Sequence, residues 1–139
     1  QNMNPNKYLP KPMLKYVSEK MNVSLSRIYS VVTFYSFFNL KPQGKHCITV
    51  CRGTACHTKG SRVLLDKLKD FLKLKEDPNE ESEKFFLTSE DRLFTLRTVA
   101  CFGQCALAPV VEIDGTIYSN VKPDQLKSII QKMMEAEKQ

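Results

Sequence analysis

Tryptophan is absent from this 139-residue chain, and glycine occurs only five times. No apolar run approaches the roughly 20 residues that a membrane-spanning helix requires, so direct membrane insertion is not expected. The opening stretch, residues 1–12, has no basic segment followed by an apolar one, so no secretory signal is legible in it. The chain also begins at Gln1, not at Met. No glycine-rich dinucleotide fingerprint is present, which argues against nucleotide binding by the chain itself. No Ser-His-Asp arrangement and no paired carboxylates stand out as catalytic groups. Internal repeats and low-complexity segments are missing as well. A Cys-x-x-Cys turn, which a dithiol oxidoreductase would carry at a helix N-terminus, does not occur.

What remains is an ordinary globular composition, 42% hydrophobic and 26% charged, with a formal net charge of +6. The length suits one domain with a small extension. The positive balance is spread out. Lys67, Lys69, Lys73 and Lys75 are interleaved with Asp66, Asp70 and Glu76, which reads as a solvated helix face, and no nucleic-acid partner is expected.

Residues 1–44 read as a helical segment. Pro10 to Met21 places Met13, Leu14, Val17 and Met21 at helical spacing. Ser24 is a good N-cap for a second helix, with Val23 and Ile28 as a hydrophobic staple. That helix carries Leu25, Ile28, Tyr29 and Val32 on one face. It runs into Phe34, Tyr35, Phe37 and Phe38 and stops near Lys41-Pro42-Gln43-Gly44. These aromatics are not interleaved with basic residues. They therefore suggest packing, on the main domain or on a partner, over a base-stacking platform.

Residues 45–139 read as an α/β domain. His46 to Cys51 is an expected strand, and Gly60-Ser61 precedes a helix with Val63, Leu64, Leu65, Leu68, Phe71 and Leu72 facing inward. Glu76 to Glu83, with Pro78, reads as a loop. Strands are expected at Phe85–Leu87, Leu93–Ala100, Pro109–Ile113 and Thr116–Tyr118. Asp114-Gly115 is a strong hairpin signal between the last two. Pro123 starts a final helix with Leu126, Ile129, Ile130, Met133 and Met134 on its buried side.

The five cysteines are the informative feature. An odd number cannot all form internal disulfides, and without a secretory signal they are expected to stay reduced. Four of them form two pairs, Cys51-x4-Cys56 and Cys101-x3-Cys105, each in a loop after an expected strand. If those strands are neighbours, the loops converge on one site. Gly53 and Gly103 permit tight backbone turns there, and Ala55, Ala106 and Ala108 leave room for a bulky group.

Three chemistries remain open at this point. A structural zinc site takes four thiolates, usually in pairs separated by two residues. A two-iron cluster takes two thiolates per iron and suits the longer gaps found here. Thiol redox chemistry is the third. Cys47 precedes Cys51 by four strand residues, an alpha-carbon separation of about 13 Å. That is too far to share one compact group, so it reads as a buried free thiol. His57 reads as a surface or outer-layer residue. Arg52, Lys59 and the amides of Gly53 and Gly103 are candidates to stabilise negative charge at the site.

The chain resembles the thioredoxin-like [2Fe–2S] ferredoxins, in particular the 24 kDa subunits of NADH:quinone oxidoreductase and their relatives. The resemblance is carried by Tyr8-Leu9-Pro10, Thr33-Phe34-Tyr35, Pro42-Gln43-Gly44-Lys45, Cys51-x4-Cys56 and Cys101-Phe102-Gly103-Gln104-Cys105, followed by Ala108-Pro109-Val110-Val111. It implies an N-terminal helical segment followed by a thioredoxin-like domain with a central mixed sheet. It implies one [2Fe–2S] cluster with Cys51, Cys56, Cys101 and Cys105 as ligands.

The resemblance further implies a larger flavoprotein partner with FMN, NAD(H) and a [4Fe–4S] cluster, in a cytoplasmic or membrane-peripheral complex. Related subunits serve soluble NAD(P)-linked hydrogenases, including electron-bifurcating ones, and formate dehydrogenases. The string Thr54-Ala55-Cys56-His57-Thr58-Lys59-Gly60 looks more like those soluble enzymes. Two departures stand out. Relatives commonly have another helical stretch before Tyr-Leu-Pro, and many have Asp-Gly where this chain has Asp91-Arg92.

Overall fold

A computed structural model describes residues 1, 3–35, 37–74 and 86–137. Helix α1 (Lys11–Met21) starts behind an extended Pro10 and ends at Asn22 in the left-handed conformation, φ 52°. Helix α2 (Leu25–Phe34) is capped by Ser24, whose hydroxyl oxygen accepts the Arg27 amide at 3.4 Å. The two helices pack on each other through Leu14 and Val32, both buried. The expected apolar faces are only partly covered, because Met13, Met21 and Leu25 remain exposed.

The segment after α2 returns along the N-terminus. The Leu9 amide donates to the Asn39 carbonyl at 2.8 Å, and the Gln43 amide donates to the Asn6 carbonyl at 2.8 Å. Gly44 then enters the domain tightly. Its amide donates to the Thr95 hydroxyl oxygen at 2.7 Å, and a Cβ at this position would lie 2.8 Å from the Phe94 carbonyl carbon. Only glycine allows that approach.

Among the described residues, the domain is a five-stranded mixed sheet with helices. Strands are β1 (His46–Cys51), β2 (Phe86–Thr88), β3 (Phe94–Val99), β4 (Val111–Ile113) and β5 (Thr116–Tyr118). Their order across the sheet is β2-β3-β1-β4-β5. Strands β1 and β3 are parallel, with Cys51 opposite Val99, while β2, β4 and β5 run antiparallel to their neighbours. The turn between β4 and β5 has positive φ at both Asp114 (49°) and Gly115 (85°), as the Asp-Gly signal predicts.

A short helix α3 (Thr54–Thr58) lies inside the first cysteine loop, which the sequence pattern presents as plain loop. Helix α4 (Ser61–Phe71) follows, and α5 (Pro123–Ala136) closes the chain. The core joins Ile48, Val50, Phe94, Leu96 and Val111 of the sheet to Leu64, Leu68, Leu126 and Ile130 of the helices. Val63 is a correction: it is 52% exposed, one position off the buried stripe of α4. The expected loop from Glu76 to Glu83 and the residue Phe85 lie outside the described residues.

Arg92, one of the two departures from the resemblance, adopts φ 54°. Asp91 holds the turn. Its carboxylate accepts the Leu93 amide at 2.9 Å and the Ser89 hydroxyl.

Candidate metal centre

The parallel pairing of β1 and β3 sets the site. Both strands end at the same edge of the sheet, so the loops that follow them meet there. Cys51 is the last residue of β1 and Cys56 sits in α3; both are buried. Cys101 lies just beyond β3, and Cys105 begins a 3-10 turn, Cys105–Leu107; both are exposed. The thiols of Cys101 and Cys105 are 3.8 Å apart. The Cys51 thiol contacts those of Cys56 and Cys101.

The two loops touch through Gly53. A Cβ there would stand 3.0 Å from the Ala100 carbonyl oxygen and 3.4 Å from the Cys101 Sγ. Gly103 turns with φ 80° and aims its amide at the Cys101 Sγ, 3.2 Å away. Around the inner pair a small apolar cluster forms from Cys51, Cys56, Ala108 and Val110, backed by Ala55, Val99 and Phe102.

Electrostatics differ between the thiols. Burial raises the Cys51 thiol, but the amides of Gly53 and Phe102 and the neighbouring thiols outweigh it, and the net shift is downward. Burial, followed by the neighbouring Cys51, pushes Cys56 up, against the Val110 amide. The hydrogen bond with Cys101 and its charge push Cys105 up. These amides point at sulfur, the arrangement that stabilises thiolate charge.

Cys47 stands apart from these four. It is half-buried and its thiol is pushed up, mainly by burial. His57, Arg52 and Lys59 are exposed. The Gly53 and Gly103 amides serve the sulfurs as expected. Those of Phe102 and Val110 were not legible in the sequence, since only the folded chain brings them to sulfur. Among the described residues, no group of three or more His, Cys, Asp or Glu side chains is set to hold a single ion. The donor set is instead two thiol pairs, in loops that meet at an open sheet edge, which suits a group larger than one ion.

A parallel β-α-β unit, an antiparallel hairpin, a closing helix and clustered thiols at the strand ends define a thioredoxin-like α/β protein with a thiolate site. Residues 1–134 match the family profile described as "Thioredoxin-like [2Fe-2S] ferredoxin". The chain belongs to that family, which implies one [2Fe–2S] cluster and electron transfer.

Among its relatives is the NADP-reducing hydrogenase subunit HndA of Solidesulfovibrio fructosivorans. It is 39% identical over 123 residues, which are 88% of this chain and 67% of that protein. An NADH-quinone oxidoreductase subunit of Rickettsia bellii is 35% identical over 126 residues, covering 91% of this chain and 70% of that one. In fold, the chain is similar to part of an NAD+-reducing [NiFe]-hydrogenase in the air-oxidized state, with TM-score 0.68 and 19% identity. That match covers 91% of this chain but only 20% of the hydrogenase chain. Among the described residues, no helix is long and apolar enough to cross a membrane.

Proposed function

We propose that this chain is a one-electron carrier in which Cys51, Cys56, Cys101 and Cys105 hold the [2Fe–2S] cluster. The observation that carries the reading is the meeting of four thiols, Cys51 at the end of β1, Cys56 in α3, and Cys101 and Cys105 in the segment after β3. Sulfurs that share one tetrahedral metal at about 2.3 Å stand about 3.8 Å apart, and the Cys101–Cys105 separation is 3.8 Å. Cys101 and Cys105 would hold one iron, and Cys51 and Cys56 the other. When bound, the cluster takes up and releases one electron. The chain's own residues keep the inner pair dry and supply amide donors that favour the more negative, reduced state.

The partner is a larger flavoprotein carrying FMN, NAD(H) and a [4Fe–4S] cluster, and electrons pass singly to or from its flavin. The parent assembly is a bacterial NADH dehydrogenase or a soluble, bifurcating type of hydrogenase or dehydrogenase, on the cytoplasmic side. Residues 45–139 form the cluster domain, and residues 1–44 form an arm that docks the partner. In support of the arm's role, Phe34 and Phe37 are 79% and 67% exposed, apolar surface left open among the described residues.

Anaerobic purification with metal and sulfide analysis tests the carrier. About two irons and two sulfides per chain are expected. One zinc without sulfide would instead establish a structural zinc module that mediates assembly. Cys101→Ser lowers iron and sulfide together, whereas Cys47→Ser leaves the cluster's absorption intact.

A further inference from the structure

Residues 105–110 bring several parts of the site together. Cys105 supplies one outer thiol, and Ala108 and Val110, each 1% exposed, close over Cys51 and Cys56. The Val110 carbonyl accepts the Cys51 amide at 3.2 Å, which ties this segment to the end of β1. The half that carries Cys105 lies in no strand. Its own turn bonds are local: the Leu107 amide donates to the Gln104 carbonyl at 3.0 Å, and the Ala108 amide to the Cys105 carbonyl at 3.4 Å.

A further tie comes from the segment between β5 and α5. The Asn120 amide donates to the Leu107 carbonyl at 2.9 Å, and the next amide, that of Val121, donates to the Pro109 carbonyl at 3.2 Å. Two successive amides reach one segment where Asn120 turns the chain in the left-handed conformation, φ 51°. Asparagine tolerates that conformation, and a β-branched residue does not. The Asn120 side chain is exposed and makes no hydrogen bond among the described residues, so its backbone does the holding. This strap is itself anchored. Val121 is buried in the core, and Pro123 begins α5, whose Leu126 and Ile130 pack there too.

Resting on the carrier reading above, we propose that Asn120 is a positioning residue for the outer thiol pair. Its left-handed turn holds the 3-10 turn from Cys105 to Leu107 against the domain, and so sets Cys105 at 3.8 Å from Cys101. The outer thiols are exposed, so packing does not confine them, and their geometry rests on backbone ties of this kind.

The test replaces Asn120 with valine, which is strained at this φ, and with glycine, which is not. Asn120→Ala applies a milder strain and covers the case in which valine prevents folding. Asn22→Val is the matched control, because Asn22 ends α1 at φ 52° on the helical arm. Full-length chains are purified anaerobically. In Asn120→Val, amide exchange at residues 105–108 is expected to rise about tenfold, the scale of a strained left-handed residue. A ferrous-iron chelator is expected to strip iron about tenfold faster, and the EPR g values of the dithionite-reduced chain are expected to shift. Exchange in β1 and β3 stays native, which a general loss of stability would not allow. Asn120→Gly keeps all three readouts native, and Asn22→Val moves none.

Native EPR and iron release in Asn120→Val, or an Asn120→Gly chain that behaves as Asn120→Val does, overturns the proposal. So does exchange that rises throughout β1 and β3 in both the valine and the alanine variants. Iron and sulfide analysis of the native chain keeps the two readings separate. Two irons with Asn120→Val indistinguishable from native sinks the strap and leaves the carrier. A native chain without iron or sulfide sinks the carrier, and exchange at residues 105–108 then decides the strap by itself.

Discussion

Gly53 lies against Cys101: a Cβ on Gly53 would stand 3.4 Å from the Cys101 sulfur and 3.0 Å from the preceding carbonyl oxygen, that of Ala100. The closeness of the two cysteine loops thus depends on a missing side chain. Gly53→Ala is expected to push the loops apart by a few tenths of an ångström. The expected result is a stability loss of about 1 kcal/mol and a lowered iron and sulfide content in the purified chain. Gly53→Val amplifies both effects. Unchanged loading in both variants would contradict the contact.

Gly44 makes the tighter approach, with a Cβ position 2.8 Å from the Phe94 carbonyl carbon and 2.9 Å from its nitrogen. Both atoms belong to the backbone of a core strand and cannot swing aside. Gly44→Ala is expected to cost about 1–3 kcal/mol, read as a lowered thermal midpoint. The arm is then loosened where it joins the sheet, since the Gly44–Thr95 hydrogen bond is strained as well.

Arg92 sits at φ 54°, in a conformation that disfavours a side chain. Arg92→Gly is expected to stabilise the chain by about 0.5–1 kcal/mol, the relief of strain exceeding the added freedom of the unfolded chain. Chemical denaturation at neutral pH measures this. Arg92→Ala keeps the strain and is expected to yield no such gain.

The Ser89 hydroxyl and the Leu93 amide hold the Asp91 carboxyl below its usual range. A folded-state pKa below the unfolded value contributes stability that is present above the unfolded value, about 3.9, and is lost as pH falls through the folded one. Asp91→Ala is expected to cost about 1 kcal/mol at pH 7 by removing these bonds from an exposed turn. Denaturation curves from pH 7 downward are expected to show the gap between native and variant chains narrowing only as pH falls below the usual carboxylate range.

Local pattern was enough for much of the molecule. The helical period of Leu64, Leu65 and Leu68, the cap at Ser24 and the Asp114-Gly115 turn each act within a few residues, so their outcomes are readable one by one. Val63 shows the limit. It is apolar and adjacent to the stripe, yet solvated, because the boundary of a buried face is set by what packs on it. The aromatic residues Phe34 and Phe37 show the same limit from the other side, since their composition suggests packing while both stay exposed among the described residues. Helix α3 was missed because five residues with no apolar period leave no trace in the pattern.

The cysteine pairs and their spacing were legible in the sequence alone, and so was the distance of Cys47 from Cys51, which strand rise sets; the expected loop placement was not, since Cys51 ends β1 and Cys56 lies in α3. Tertiary structure alone decided that the pairs meet. Strands β1 and β3 are separated by α3, α4 and β2 among the described residues, and their parallel register is a long-range pairing that no local period encodes. It also decided which thiols are dry: the apolar cluster of Ala108 and Val110 closes over Cys51 and Cys56, while Cys101 and Cys105 stay at the open edge of the sheet. Burial is a property of everything packed around a residue, and for Cys51 and Cys56 the fold supplies it from a segment distant in the chain.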